Sequence, residues 1–354
     1  MVLDQLYAIT PLVTTLLTFY SVYLILALSL NLIYGYCGVP NFGHVFFQSV
    51  GAYVAGNLTA NVMNFMFLGG GNICEIATAE ARRNLALANP AIAMGFFILS
   101  LAVGILVGGF FGYIASYPAL RLKEDYLAIT LIFIGEIGRI IARNEASIAC
   151  GLVGLTGIPN PFIWVGDPNL SLIIYTIMAV IIAAIIFVYL QRLSNSPFGR
   201  LLKSVRDDEI AAASLGKDIA KARGWAMILG SSIAAVAGVL KVFYAQGVFA
   251  DDYIPLTTFV VLSMVILGGM ANNRGVILGA LLITLLDFLV APSFFRLIGV
   301  EIQFDITYIK YIITGIVIIT VLLFRPQGII PEKPVETIGL KIARQNIKRE
   351  KNET

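Results

Sequence analysis

Apolar runs of roughly eighteen residues or more recur along this sequence, and they limit its possible folds more than any other feature. In hydrocarbon a backbone must satisfy its own hydrogen bonds, so such runs become helices or the strands of a closed barrel. Barrel strands would show as alternating segments of about ten residues, which are absent. Hydrophobic residues make up 58% of the 354 and charged residues 13%, with a mean hydropathy of +0.88. No soluble core of this size requires that much apolar surface. The expected fold is an all-α polytopic membrane protein of about nine transmembrane helices, within a range of eight to ten.

Charge orients the chain. Of the 24 Lys and Arg, 14 fall within Gln191–Arg223 and Arg325–Thr354, and the first basic residue is Arg82. Cytoplasmic loops carry the excess of Lys and Arg, which puts the N-terminus outside and the C-terminus inside. The opening residues lack the positive region of a secretory signal peptide. The expected spans are Ile9–Tyr34, Phe42–Ala60, Pro90–Ala115, Asp125–Ala142, Leu170–Leu190, Gly224–Tyr244, Tyr253–Met270, Gly275–Ala291 and Tyr308–Phe324. Asn61–Asn89 and Arg143–Asn169 become external loops, the first with a short polar helix from Glu75 to Asn89. Residues 1–330 form the membrane domain, 191–223 a cytoplasmic loop within it, and 331–354 a basic cytoplasmic tail.

The chain offers little that could catalyse. Gly216-Lys217 is followed by Asp218, so no phosphate-binding loop exists, and His44 is the only histidine. Cys74 and Cys150 fall in external loops, where a bridge could persist. They are read here as separate thiols, because sequence gives no distance between them. Glu136 lies deep in the fourth span with Arg139 three residues on, on the same helical face. It either lines a polar path or pairs with Arg139 near the outer boundary. Lys241 and Asp287 are read as boundary residues. The second span opens irregularly, with Gly35, Gly38, Pro40 and Gly43 around Asn41, Phe42, His44 and Gln48. Broken helices at membrane depth commonly build transport sites, so Asn41, Phe42, Gly43, His44 and Gln48 are the path candidates. Gly104, Gly108 and Gly112 continue a four-residue spacing from Ser100 to Ser116, a face for close helix packing.

Gln191–Arg223 holds seven basic and four acidic residues, and in it Glu209, Ala211, Ala212 and Gly216 give the spacing E-x-A-A-x-x-x-G. A short helix with a small-residue face can seat in a groove on another protein. Four stretches resemble the LivM-like permease subunit of branched-chain amino acid ABC importers: Leu30–Tyr53, Pro118–Ile141, Ser196–Gly216 and Ile266–Leu282, with Phe324–Ile330 closing the pattern. The resemblance implies a multi-pass cell-membrane protein that imports leucine, isoleucine or valine. It implies a second permease of related type, two ATP-binding subunits and an extracellular solute-binding protein as partners. ATP would be bound by those partner subunits and no cofactor by this chain. By position, Arg206, Glu209, Ala211, Ala212 and Gly216 would couple the ATPase. The basic tail is read as solvated and partly disordered, with contact to anionic lipid or a cytoplasmic partner as the other reading, and no nucleic acid is expected. The alternatives are a permease for urea, short amides or other amino acids, and a secondary transporter using Glu136.

Overall fold

A computed structural model describes residues 2–291, 312–313, 315–316, 319–320, 323–324 and 327–332. The expected span Tyr308–Phe324 falls largely outside the described residues, as does the tail beyond residue 332. Twelve helices are described: α1 (Val2–Leu30), α2 (His44–Phe67), α3 (Ile76–Ala88), α4 (Pro90–Arg121), α5 (Glu124–Asn144), α6 (Ala146–Ala149), α7 (Pro168–Asn195), α8 (Pro197–Asp207), α9 (Glu209–Ser214), α10 (Ile219–Ala245), α11 (Pro255–Gly268) and α12 (Asn273–Leu289). Among the described residues, five segments are long and apolar enough to cross a membrane: Thr10–Tyr36, Pro90–Arg121, Pro168–Asn195, Ile219–Ala245 and Ala250–Gly268.

Burial separates the centre from the rim. The apolar windows of α10 and of Thr10–Tyr36 are 78% and 72% buried, against 33% and 28% for α4 and α7. α10 lies between α2 and α4 and beside α1, which also packs on α7, α11 and α12. The outer faces of α4 and α7 expose Leu106, Phe110, Ile181 and Ile185. In water such faces would drive aggregation; against acyl chains they cost nothing.

The central crossings use small residues because lipid supplies no hydrophobic drive between helices. A Cβ on Gly104 would lie 2.9 Å from Val239 Cγ2, one on Gly108 2.5 Å from Ala235 Cβ, and one on Gly112 2.7 Å from Ser231 Cβ. The glycine face of α4 therefore meets α10. On an adjoining face of α10, Gly238 abuts the Gln48 carbonyl and Gly51 abuts the Ala235 carbonyl. Sequence reading found the α4 stripe and missed the answering small face of α10.

The end of the bundle that carries α3 corrects one expectation. Cys74 and Cys150 form a disulfide, with S–S 2.07 Å and Cα–Cα 5.5 Å across a separation of 76 residues. The two loops look independent in sequence and are joined because α3 folds back over the end of α2. There Arg82, wholly buried, donates to Asn64 Oδ1 at 3.2 Å, Ile73 O at 3.3 Å, Thr156 O at 2.7 Å and Gly157 O at 3.2 Å. Its burial disfavours the charged form relative to an ordinary arginine. α2 runs to Phe67, past the expected end at Ala60, because Asn64 faces Arg82 and the stop is the positive-φ run Gly69, Gly70 and Gly71. Short strands β1 (Leu155–Thr156) and β2 (Gly247–Val248) pair antiparallel and tie this cap to the end of α10.

Candidate functional site

At the end of the bundle away from α3, three capped helices follow α7. Ser196, Asp208 and Asp218 cap α8, α9 and α10 by accepting from Gly199 N, Ala211 N and Lys221 N. α9 starts at Glu209 and stops where Gly216 takes φ +73°, with Lys217 N donating to Ala212 O at 3.1 Å. This is the left-handed helix ending that glycine allows. Glu209 pairs with Arg223 at the foot of α10.

The sequence grouped five residues here as one coupling element, and the structure divides them. Glu209, Ala211 and Ala212 lie on α9 with Gly216 just past its end. Ala212 packs inward at 3% exposure while Ala211 faces out. The most prominent outward groups are Ile210, 81% exposed, and Leu215, 78% exposed. Sequence reading passed over both, though two large apolar residues bracketing the alanines in a charged loop were a usable signal. Arg206 is on α8 and turns toward the membrane domain. Its Nη1 donates to Gly35 O at 2.8 Å, and its stem packs on Gly38.

Gly35 belongs to a π-helical turn, Asn31–Tyr36, that continues α1. Such turns are rare and concentrate at functional positions. Asn31, wholly buried, joins it to the α11–α12 turn: Nδ2 donates to Asn273 Oδ1 at 2.9 Å and Oδ1 accepts from Ala271 N at 2.9 Å.

Beyond the turn lie the path candidates. His44 is wholly buried with both ring nitrogens engaged, Nε2 with Ser29 Oγ at 2.7 Å and Nδ1 with Asn41 Nδ2 at 3.3 Å. Ser29 gives its own proton to Leu26 O, and Asn41 Nδ2 can only donate. With the Asn41 amide in this orientation, the hydrogen bonds fit a neutral imidazole carrying its proton on Nε2. Asn41 Oδ1 and Gln48 Oε1 are buried without a partner. Phe42 packs on Phe259, ring centroids 5.7 Å apart, and Gly43 lets α2 touch the α5 backbone at Leu131. None of these residues lines the 640 Å³ groove between α4 and α5 or the 400 Å³ cavity between α1 and α12.

Glu136 is set apart from that cluster. Arg139 Nε donates to Glu136 Oε2 at 3.0 Å and Nη1 to Asp251 Oδ1 at 2.5 Å, and Arg143 stands 3.6 Å from the same oxygen. Lys241 pairs with Asp252 at 3.2 Å over the Tyr253 ring. These ion pairs clasp α5 and α10 to the turn before α11, so Glu136 is a paired carboxylate.

Helices with small-residue crossings, a broken first helix and a capped charged loop define a multi-pass membrane permease component. A family model described as branched-chain amino acid transport system, permease component, matches residues 12–322, and the chain belongs to that family. The family is one of transport components rather than enzymes. The chain is 33% identical to the probable branched-chain amino acid transport permease protein LivM of Methanocaldococcus jannaschii, over 93% of this chain and 96% of that one. It is 25% identical to the high-affinity branched-chain amino acid transport system permease protein LivM of Escherichia coli K12, over 89% and 69%. The probable permease protein LivH of M. jannaschii is 28% identical, over 86% and 87%. No solved structure matches the chain.

Proposed function

We propose that this chain is the LivM-type permease subunit of an ABC importer for leucine, isoleucine and valine. It sits in the cell membrane, N-terminus outside and C-terminus inside. A second, related permease completes the path, two ATP-binding subunits dock below, and an extracellular binding protein delivers the amino acid. Residues 191–223 are the coupling loop and 331–354 a cytoplasmic tail. The observation that carries this reading is the family match across residues 12–322.

The local geometry supplies a working mechanism. Ile210 on the short α9 and Leu215 at its C-terminal cap offer apolar anchors suited to a groove on a partner. Motion of the partner would pass through α8 and Arg206 to Gly35 and the π-helical turn, next to Asn41, His44 and Gln48. A secondary transporter built on Glu136 needs a carboxylate free to exchange protons, and Glu136 is held by Arg139.

The test is purification of the tagged chain from its own membranes in mild detergent, then reconstitution with whatever accompanies it. ATP-binding subunits and a second permease in stoichiometric amounts, with ATP-dependent uptake of labelled leucine, are expected. A chain that purifies alone and takes up leucine without ATP would overturn the reading. Uptake of labelled urea or acetamide in place of leucine would move it to the amide branch.

A further inference from the structure

Glu332 lies outside every segment assigned to coupling, yet it grips the helix that carries it. Gln327–Glu332 docks on the α11–α12 turn and satisfies the last carbonyls of α11: Ile329 N donates to Leu267 O at 2.9 Å and Ile330 N to Gly268 O at 3.0 Å. Asn272 Nδ2 donates to Ile330 O at 3.2 Å and to Pro331 O at 3.0 Å. Gly269, at φ +115°, and Gly275 let this backbone approach closely. Five hydrogen-bonding and close-contact residues thus fix the position from which Glu332 extends.

The Glu332 carboxylate meets two cations of α8. Oε1 is 2.7 Å from Lys203 Nζ, and Oε2 is 2.9 Å from Arg206 Nη2. Lys203 and Arg206 are three residues apart on one helical face. That face lies against the π-helical turn, with Lys203 Nζ 5.4 Å above the Tyr36 ring and Arg206 Nη1 on Gly35 O. The side chains are 18%, 24% and 26% exposed for Lys203, Arg206 and Glu332, so water screens the cluster less than it screens an exposed pair.

We propose that Glu332 is a positioning residue for coupling, clamping α8 between the π-helical turn of α1 and the α11–α12 turn. Displacement of α8 by a partner is then delivered to both at once. Without the carboxylate, Arg206 keeps Asp207 and Gly35, but α8 loses its ion-pair link to the α11–α12 side. ATP turnover in the partner subunits then continues with less transport. The inference rests on the ABC reading above.

The test uses the full complex in proteoliposomes, measuring leucine uptake and ATP hydrolysis together. Glu332→Gln keeps the shape and removes the charge. The loss of a charge-assisted bond predicts about a tenfold fall in leucine moved per ATP. Glu332→Asp should retain more than half of the wild-type ratio. The exchanged pair Lys203→Glu with Glu332→Lys should recover transport that either single change loses. An unchanged ratio in Glu332→Gln, or an exchanged pair no better than its singles, overturns the proposal. So does a Glu332→Gln complex that fails to assemble, since the residue then serves folding. A wild-type complex without ATP-driven leucine uptake would instead sink the ABC reading.

Discussion

Gly238→Ala tests the central crossing of the bundle with the smallest possible perturbation. A Cβ there runs into the Gln48 carbonyl and comes within 2.9 Å of Ala52 N, both on the α2 backbone. Neither atom can rotate away, so α2 and α10 must separate along a wholly buried contact. Overpacking a tight core typically costs about 1–3 kcal/mol, and a backbone-on-backbone clash belongs at the upper end. Gly95→Ala on the exposed face of α4 is the control, since nothing lies within 4 Å of its Cβ. Helix propensity there favours alanine by up to about 1 kcal/mol. Gly104→Ala should fall between, because it meets only the movable Val239 methyl at 2.9 Å. The assay is thermal unfolding in detergent followed by a thiol-reactive dye without reductant. Cys37 is buried and free while Cys74 and Cys150 are bridged, so the dye reads one interior site. Gly238→Ala should lower the midpoint by about 5 °C or more relative to Gly95→Ala. A Gly238→Ala midpoint equal to the wild type or above the control would refute the close-contact argument.

Alkylation of the denatured, unreduced chain should label Cys37 alone, and prior reduction should raise the count to all three cysteines. Cys150→Ser should cost less than the about 4.5 kcal/mol that a free loop of 76 residues implies, because α4 within it stays membrane-inserted; thermal midpoints check this. Arg82→Met should weaken the outer cap by about 3 kcal/mol, read as faster hydrogen exchange across residues 72–88, and Arg82→Lys should not restore it because one ammonium cannot span four acceptors. Gly216→Leu forces a branched side chain into φ +73° at about 1–2 kcal/mol and should abolish ATP-driven uptake in a folded protein, whereas Gly216→Asn should keep it; normal uptake by the leucine variant would contradict the role of α9. The Lys221 N–H holds the Asp218 carboxyl below its usual range, so the cap is fully present above the unfolded value of about 4 and is lost as pH falls through the lower folded value; Asp218→Asn should flatten that acid dependence in exchange at the Lys221 amide.

The sequence by itself determined what depends on local composition. Apolar runs announced a polytopic helical membrane protein, Gly104, Gly108 and Gly112 named a packing face, and the E-x-A-A-x-x-x-G spacing located α9. It also flagged Asn41, His44 and Gln48 as unusual, because polar residues beside glycine and proline stand out in an apolar run. Only the tertiary structure decided which faces meet. Apolar length marks both α10 and α4 as spans without naming the neighbours of either, yet one is central and the other rims the bundle. Nor could it pair Cys74 with Cys150, give Arg82 its four acceptors, or divide Glu136 between a path and Arg139. Those contacts join residues far apart in the chain, where periodicity carries no information. Arg206 and Glu332 show this most plainly: the first has a coupling role only by position and the second no legible role, and folding turns them toward each other beneath the π-helical turn. A charge in a loop has no preferred partner until long-range packing fixes which cations and carbonyls lie within about 3 Å of it.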